Sequence, residues 1–257
     1  EGKIIAYVPI DDRSIHTNRI EFLAQSAGYT IELPDKKFYT TNIDKGENSY
    51  AGYSTKYGNP SKISSWLLEK EDEGCDYYII SLDQMFSGGV VGSSYLSDED
   101  FAVYDKGIDA SKRVLEKLMG DKKNHIYLID SVAGLSVTPG FMDFTQEDYS
   151  LLVAYTNQKR IDLEDKDLTI KKIFENYKLK SDGQTIETTL DEVKLNKYLA
   201  ARSRKLKYSD FILKTISKSE NKDNIHIIYG VEDSGNTQNT IQNNDLLYLQ
   251  KIAKKYE

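Results

Sequence analysis

The residues best suited to chemistry are carboxylates standing at the ends of apolar runs. Val8-Pro-Ile-Asp-Asp-Arg13 places two adjacent acids and a guanidinium directly after the strand-like run 3–10. Asp83 follows the run 77–82, Asp130 follows 126–129, and Glu232-Asp233 follow 225–231. Adjacent carboxylates are costly unless a cation, a metal or hydrogen bonds hold them, and Arg13 is the nearest cation. Two carboxylates from different strands suit hydrolysis of a glycosidic bond, in which one is kept protonated and the other ionised. Asp11, Asp12, Asp83, Glu232 and Asp233 are therefore the candidate catalytic acids. The same oxygens would suit a hard divalent cation as cofactor, magnesium, calcium or manganese, and not zinc. The bland alternatives are a local salt bridge with helix capping at 11–13, and capping of the last helix by Asp233 or Ser234.

A second set of residues suits binding. Arg13 would orient the acids, and Gly88-Gly89 lets backbone approach a ligand closely. Asp130 and Ser131 open the segment after the fourth strand. The stretch 35–60, with Tyr39, Tyr50, Tyr53 and Tyr57 among Gly, Asn and Thr, has no helical or strand period. It reads either as a lid whose Tyr53 stacks on a sugar ring or as an ordered surface excursion.

Several classes are disfavoured. There is no Gly-x-Gly-x-x-Gly after the first strand and no Walker phosphate loop, and Gly134-Leu-Ser-Val-Thr lacks the last glycine of a serine-hydrolase elbow. Ser234-Gly-Asn-Thr at a helix start is only a weak phosphate signal. His16, His125 and His226 lack ligand spacing, and the last two, at strand entrances, are expected to be structural. Cys75 stands alone, so no internal disulfide or cysteine zinc site forms. A formal charge of −7 argues against nucleic acid as a partner. No apolar window approaches the roughly 20 residues of a membrane span, so membrane insertion is not expected. The expected partner is a polar small molecule or a glycan; oligomeric state is not legible.

The elements that must place these residues alternate. Strand-like runs at 3–10, 29–33, 76–82, 126–129 and 225–231 are separated by helical stretches at 18–27, 61–71, 97–119, 145–160 and 191–217, and a last helix closes the chain. Asp182-Gly183 marks a hairpin or tight turn. Such alternation predicts parallel pairing through right-handed crossovers. The expectation is a three-layer α/β fold with a mostly parallel five-stranded sheet and helices on both faces. A partial or complete β/α barrel is the alternative, since acids at strand C-termini suit both. Residues 1–257 are expected to form a single α/β domain with a mainly helical excursion at about 141–217. The start at Glu1 predicts export, to an extracellular or cell-surface location after signal removal, with the cytoplasm as the alternative.

Three segments carry a family resemblance. Val8-Pro-Ile-Asp-Asp-Arg13, Ile80-Ser-Leu-Asp-Gln-Met85 with Gly88-Gly89-Val90-Val91, and Tyr229-Gly-Val-Glu-Asp-Ser234 resemble, in order and approximate spacing, segments of the bacterial family called domain of unknown function 4127. The likeness spans nearly the whole chain. Members are about twice as long, so the resemblance implies an N-terminal half or a trimmed version. The chain departs from the family at Ser14, where Pro is usual, at Ser94 and Gly134, where Arg is common, and at Lys205-Leu206, which replaces Asn-His after Arg202-Ser-Arg204. The acids are kept better than the bases, which implies a changed ligand or lost catalysis. Two functions stand: a hydrolase-like protein with an acidic pocket at the strand C-termini, acting on a carbohydrate or related polar small molecule, or a non-catalytic ligand- or cation-binding domain of a larger protein. Phosphoryl transfer is a weaker third reading.

Overall fold

Alternating strand and helix periods produce, in chain order, β1 (Ile4–Val8), α1 (Asn18–Ser26), β2 (Thr30–Glu32), α2 (Pro60–Asp72), β3 (Tyr77–Ser81), α3 (Leu82–Ser87), α4 (Val90–Ser93), α5 (Gly107–Gly120), β4 (His125–Val132), α6 (Gln146–Thr156), α7 (Ile170–Asn176), α8 (Glu192–Lys218), β5 (Ile225–Val231) and α9 (Gln242–Tyr256). The structure, a computed structural model, describes residues 3–40, 57–95, 107–140, 144–233 and 240–257. Tyr50, Tyr53 and the Ser234-Gly-Asn-Thr segment lie outside the described residues.

The five strands form one parallel sheet in the order β2-β1-β3-β4-β5, the centre of a three-layer α/β fold. Register pairs Ala6 with Tyr78 and Tyr78 with Ile126, so these side chains share one face. The Tyr78 hydroxyl donates to Glu71 of α2 at 2.5 Å, which puts α2 on that face. Ile63 and Leu67 of α2 and Leu115, Leu118 and Met119 of α5 are fully buried. Tyr7 and Ile79 point to the other face, where the Tyr7 hydroxyl donates to the carbonyl of His16, just ahead of α1.

Two boundaries differ from expectation for identifiable reasons. The strand expected to run through Leu82 ends at Ser81, and residues 82–87 form α3: Ser81 is its N-cap, its Oγ accepting from the Gln84 amide at 3.2 Å. Ser-x-x-Gln is a helix-start signature that the apolar run masks. β4 runs past Ile129 through Asp130 and Ser131, because backbone pairing does not stop where polar side chains begin. In α1, Ile20 and Ala24 are half-buried whereas Phe22 and Leu23 face solvent, and no residue of the helix is buried.

The chain packs as two compact units. The first comprises the described residues of Glu1–Gly92, Glu99–Asp130 and Lys218–Tyr229, and the second those of Ser93–Asp98, Ser131–Ser217 and Gly230–Glu257. In the second, the Asp182-Gly183 turn closes an antiparallel bridge between Leu179 and Thr185, with Gly183 at φ +83°. Arg160, fully buried, donates to the carbonyls of Tyr155, Thr156 and Gln158 at 2.8–2.9 Å and so closes the end of α6. Burial lowers its guanidinium to about 10.

The start of α6 is a capping box. The Thr145 hydroxyl accepts from the Asp148 amide, and the Asp148 carboxylate accepts from the Thr145 amide and from Lys194 of α8 at 2.6 Å. Burial alone would raise this carboxyl; the Lys194 and Thr145 bonds outweigh it and hold it below its ordinary 3.8. Its contribution is therefore present above the unfolded value and lost as pH falls through the folded one. Asp148→Ala is expected to cost about 1–2 kcal/mol at neutral pH. In urea titrations the difference from wild type should shrink towards zero well below pH 3.8; a difference independent of pH would contradict this account.

Candidate functional site

In the first unit the site grows from the end of β1. Pro9 has no N–H to continue the ladder, and the chain turns through Ile10–Arg13. Asp11 has no exposed surface. Its Oδ2 accepts from Arg13 Nε at 3.0 Å and Nη2 at 2.7 Å, and its Oδ1 from the Arg13 amide at 3.1 Å. A carboxylate held by three donors of one residue is fixed as an anion and in turn fixes the guanidinium. Arg13 Nη2 also lies 3.3 Å from His16 Nε2, and since Arg only donates, that nitrogen accepts. The Arg13 side chain remains 32% exposed, and Asp12 is half-buried beside it. Burial, then the Asp11 charge, pushes the Tyr7 hydroxyl up, which keeps it a donor to the His16 carbonyl.

The first turn of α3 supports this corner. Gln84, fully buried, donates through Nε2 to the Ile10 carbonyl at 3.2 Å, while its Oε1 has no hydrogen-bond partner among the described residues. Asp83, one residue before it, is buried, and its carbonyl accepts from the Gly89 amide at 3.1 Å. Asp130, at the end of this unit's share of β4, is also buried.

Gly88 and Gly89 have positive φ, and Gly88 closes α3 in the left-handed conformation. A Cβ at Gly88 would stand 2.7 Å from Tyr57 Cβ and 3.0 Å from the backbone N and O of Gly58. What Gly88 admits so closely is thus the chain's own segment 57–58, whose Gly58 amide donates to the Gly88 carbonyl at 2.7 Å. Gly88→Ala is expected to cost about 2–4 kcal/mol, from left-handed strain plus the contact. A midpoint in urea unchanged from wild type would refute this.

In the second unit the predicted residues fall into two groups. Ser131 accepts from Lys205 Nζ of α8 at 2.9 Å, and Lys205 also reaches Ser93 Oγ at 3.3 Å; all three side chains are buried. Asp233, at φ +54°, accepts from the Leu135 amide at 2.9 Å, and the Glu232 carbonyl accepts from Gln242 at 2.6 Å. A Cβ at Gly134 would lie 2.7 Å from Asp233 Oδ2 and 3.1 Å from Glu232 Oε2. The glycine at 134, where the family resemblance implies Arg, is what allows these acids to close over the turn after β4.

That turn is also held from below. Arg202, fully buried on α8, donates to the carbonyls of Ala133 and Gly134 at 3.0 and 2.6 Å and pairs with Asp245 of α9. The Tyr177 hydroxyl donates to Asp245 at 2.6 Å, and the Tyr198 hydroxyl to the Gly134 carbonyl at 2.7 Å. Burial raises the Asp245 carboxyl, with Arg202 and Tyr177 opposing it; for Arg202, Tyr198 and Asp245 outweigh desolvation and raise the guanidinium. The pair is an ion pair whose anion is the strained member.

Of the predicted residues, Asp11, Asp12 and Arg13 share one corner, and Glu232 and Asp233 another. Tyr53 lies outside the described residues. Sequence reasoning missed Gln84 and Lys205, and it passed over His16, whose only signal is its position one turn beyond Arg13. Among the described residues no group of three or more His, Cys, Asp or Glu is arranged to hold a metal ion. No helix among them is long and apolar enough to cross a membrane.

A family model described as "Protein of unknown function (DUF4127)" matches residues 5–256. No curated protein matches the chain. Among solved structures, the crystal structure of an aminotransferase from Anaerococcus prevotii DSM 20548 aligns at 12% identity with a TM-score of 0.29, covering 99% of this chain and 50% of that one. The chain thus spans about half the length of that neighbour, and a score this low carries no argument about fold or chemistry.

Proposed function

The chain belongs to the family of proteins of unknown function DUF4127, and from that premise we propose that it is a hydrolase-like protein acting on a carbohydrate or related polar small molecule at the corner after β1. One observation carries the reading: Asp11 is fully buried and bound to Arg13 through three donors, while Arg13 and the neighbouring Asp12 keep contact with solvent. Asp11 then serves as the fixed anion that orients Arg13. Arg13 presents the solvent-exposed edge of its guanidinium to sugar hydroxyls or a carboxylate, as a planar fork suits. Asp12 exchanges the proton with the leaving oxygen or with water.

The second reading, a binding domain without catalysis, is favoured by a separate observation on Glu232 and Asp233. The Asp233 carboxylate caps the Leu135 amide, and the Glu232 carbonyl is held by Gln242, which are structural tasks. We therefore assign the acid–base role to Asp12 rather than to that pair.

The test is a thermal-shift screen of the full chain against sugars, methyl glycosides and sugar acids, repeated on Asp12→Asn and Arg13→Lys. A ligand that stabilises wild type and loses its effect in Arg13→Lys supports the corner as the binding site. Stabilisation that is equal in all three proteins would remove it.

A further inference from the structure

The two faces of the sheet are covered unequally. On the face shared by Ala6, Val8, Tyr78, Ile80, Ile126 and Leu128 these side chains are buried. On the opposite face Tyr127 is 45% exposed, Ile129 37% and Ile228 56%. Ile228 belongs there because His226, two residues earlier, stacks on Tyr127 at 4.9 Å, and alternate residues of a strand share a face. The helix of this face, α1, packs at the β2 edge and buries none of its own residues. Its outward stripe leaves Phe22 67% and Leu23 59% exposed, beside a shallow groove of about 590 Å³ that Ile15 also borders. Parallel sheets are normally covered by helices on both faces. Here Tyr127, Ile129 and Ile228 stay open to solvent on the β4–β5 side, and Phe22 and Leu23 stay open on α1.

We propose that a second copy of this chain covers this face, α1 of each copy seating its Phe22–Leu23 stripe on β4–β5 of the other. The strand order decides the geometry. β2 and β5 are opposite edges, so a two-fold axis parallel to the strands carries α1, at the β2 side of one copy, onto the β4–β5 side of its partner, and the reverse. The two α1 helices then form one shared layer between two sheets. Phe22, Leu23, Tyr127, Ile129 and Ile228 carry no charge, so the symmetric contact brings no like charges together at its centre. With about 200 Å² for a fully exposed large apolar side chain, these five and Ile15 offer on the order of 600 Å² per copy. Doubled, that reaches the lower bound of stable specific interfaces, about 1,200 Å², and the area per copy lies at the upper end of what a monomer ordinarily leaves open.

The experiment is sedimentation equilibrium and native mass spectrometry on the full chain across the micromolar range, with Phe22→Glu and Ile228→Lys. Both positions are exposed, so circular dichroism should match wild type, and melting temperature should match it at concentrations where wild type is itself monomeric. Wild type is expected to dimerise, and each variant to dissociate about tenfold or more readily. Mixing the two variants should restore a 1:1 heterodimer, because the carboxylate introduced at 22 meets the ammonium introduced at 228 while the second contact keeps its native residues. A wild type that stays monomeric, a dimer that survives both variants, or a mixture that stays monomeric would each overturn the proposal. The first of these would leave the face to a different polypeptide.

Discussion

Asp12→Asn is expected to lower turnover of a glycoside or related substrate by about 10²–10⁴-fold, the contribution of a positioned general acid or base, with KM nearly unchanged. The substitution keeps shape and hydrogen-bonding reach and removes only the proton that can be exchanged. It acts on a half-buried residue, so stability should stay within about 1 kcal/mol of wild type. Asp11→Asn provides the contrast. That carboxylate is fully buried and receives Nε, Nη2 and the amide of Arg13, so its loss frees the guanidinium and should disturb KM, kcat and stability together. Steady-state kinetics with melting temperatures separates the two behaviours. If Asp12→Asn keeps turnover within a few-fold while Asp11→Asn abolishes it, the acid–base assignment has to move to Asp11.

Arg202→Met should destabilise the chain by about 3–5 kcal/mol, the cost of leaving a buried charge without its partner. Against a typical total of about 5–15 kcal/mol this is a large fraction. Asp245 is almost without exposure and would lose its guanidinium partner while keeping the Tyr177 hydroxyl, and the Ala133 and Gly134 carbonyls would lose their Arg donor. Met fills similar volume, so packing loss is a minor part of the effect. Arg202→Met with Asp245→Leu should recover part of the loss, since an apolar pair removes the unpaired anion. Recovery should be incomplete because the two carbonyls still lack the guanidinium. Urea unfolding followed by circular dichroism measures both variants; a single substitution costing under about 1 kcal/mol would show that the network is solvated in solution.

What was legible in the sequence was periodicity. Apolar runs located all five strands, four of them ending in acids and the second at Pro34, and their separation by helical stretches implied the parallel sheet. Boundaries slipped where side-chain polarity and backbone pairing disagree, as at Asp130 and Ser131, which continue β4. The corner at Asp11, Asp12 and Arg13 was legible because it is local, three residues in a row. The Arg202–Asp245 pair was not, because its members are 43 residues apart and neither sits in a pattern that marks it. Lys205 was equally hidden: on a helix a Lys reads as solvent-facing until the fold buries it against Ser131 and Ser93. The exposure of Phe22 and Leu23 on α1 was not legible either, since an apolar stripe tells that a surface is covered and not by what.

The late arrival of β5 has a consequence for synthesis. β4 is complete once Val132 has been made, yet its outer neighbour begins only at Ile225. At about 5–20 residues per second, residues 133–224 take roughly 5–20 s to produce. Throughout that interval the backbone N–H and C=O groups of β4 form an open edge, able to pair with any strand that reaches it first. On the ribosome, then, the sheet's vulnerable period is set by the length of the segment between its last two strands, and holding that edge during those seconds is a task for a chaperone or for the growing 133–224 segment itself.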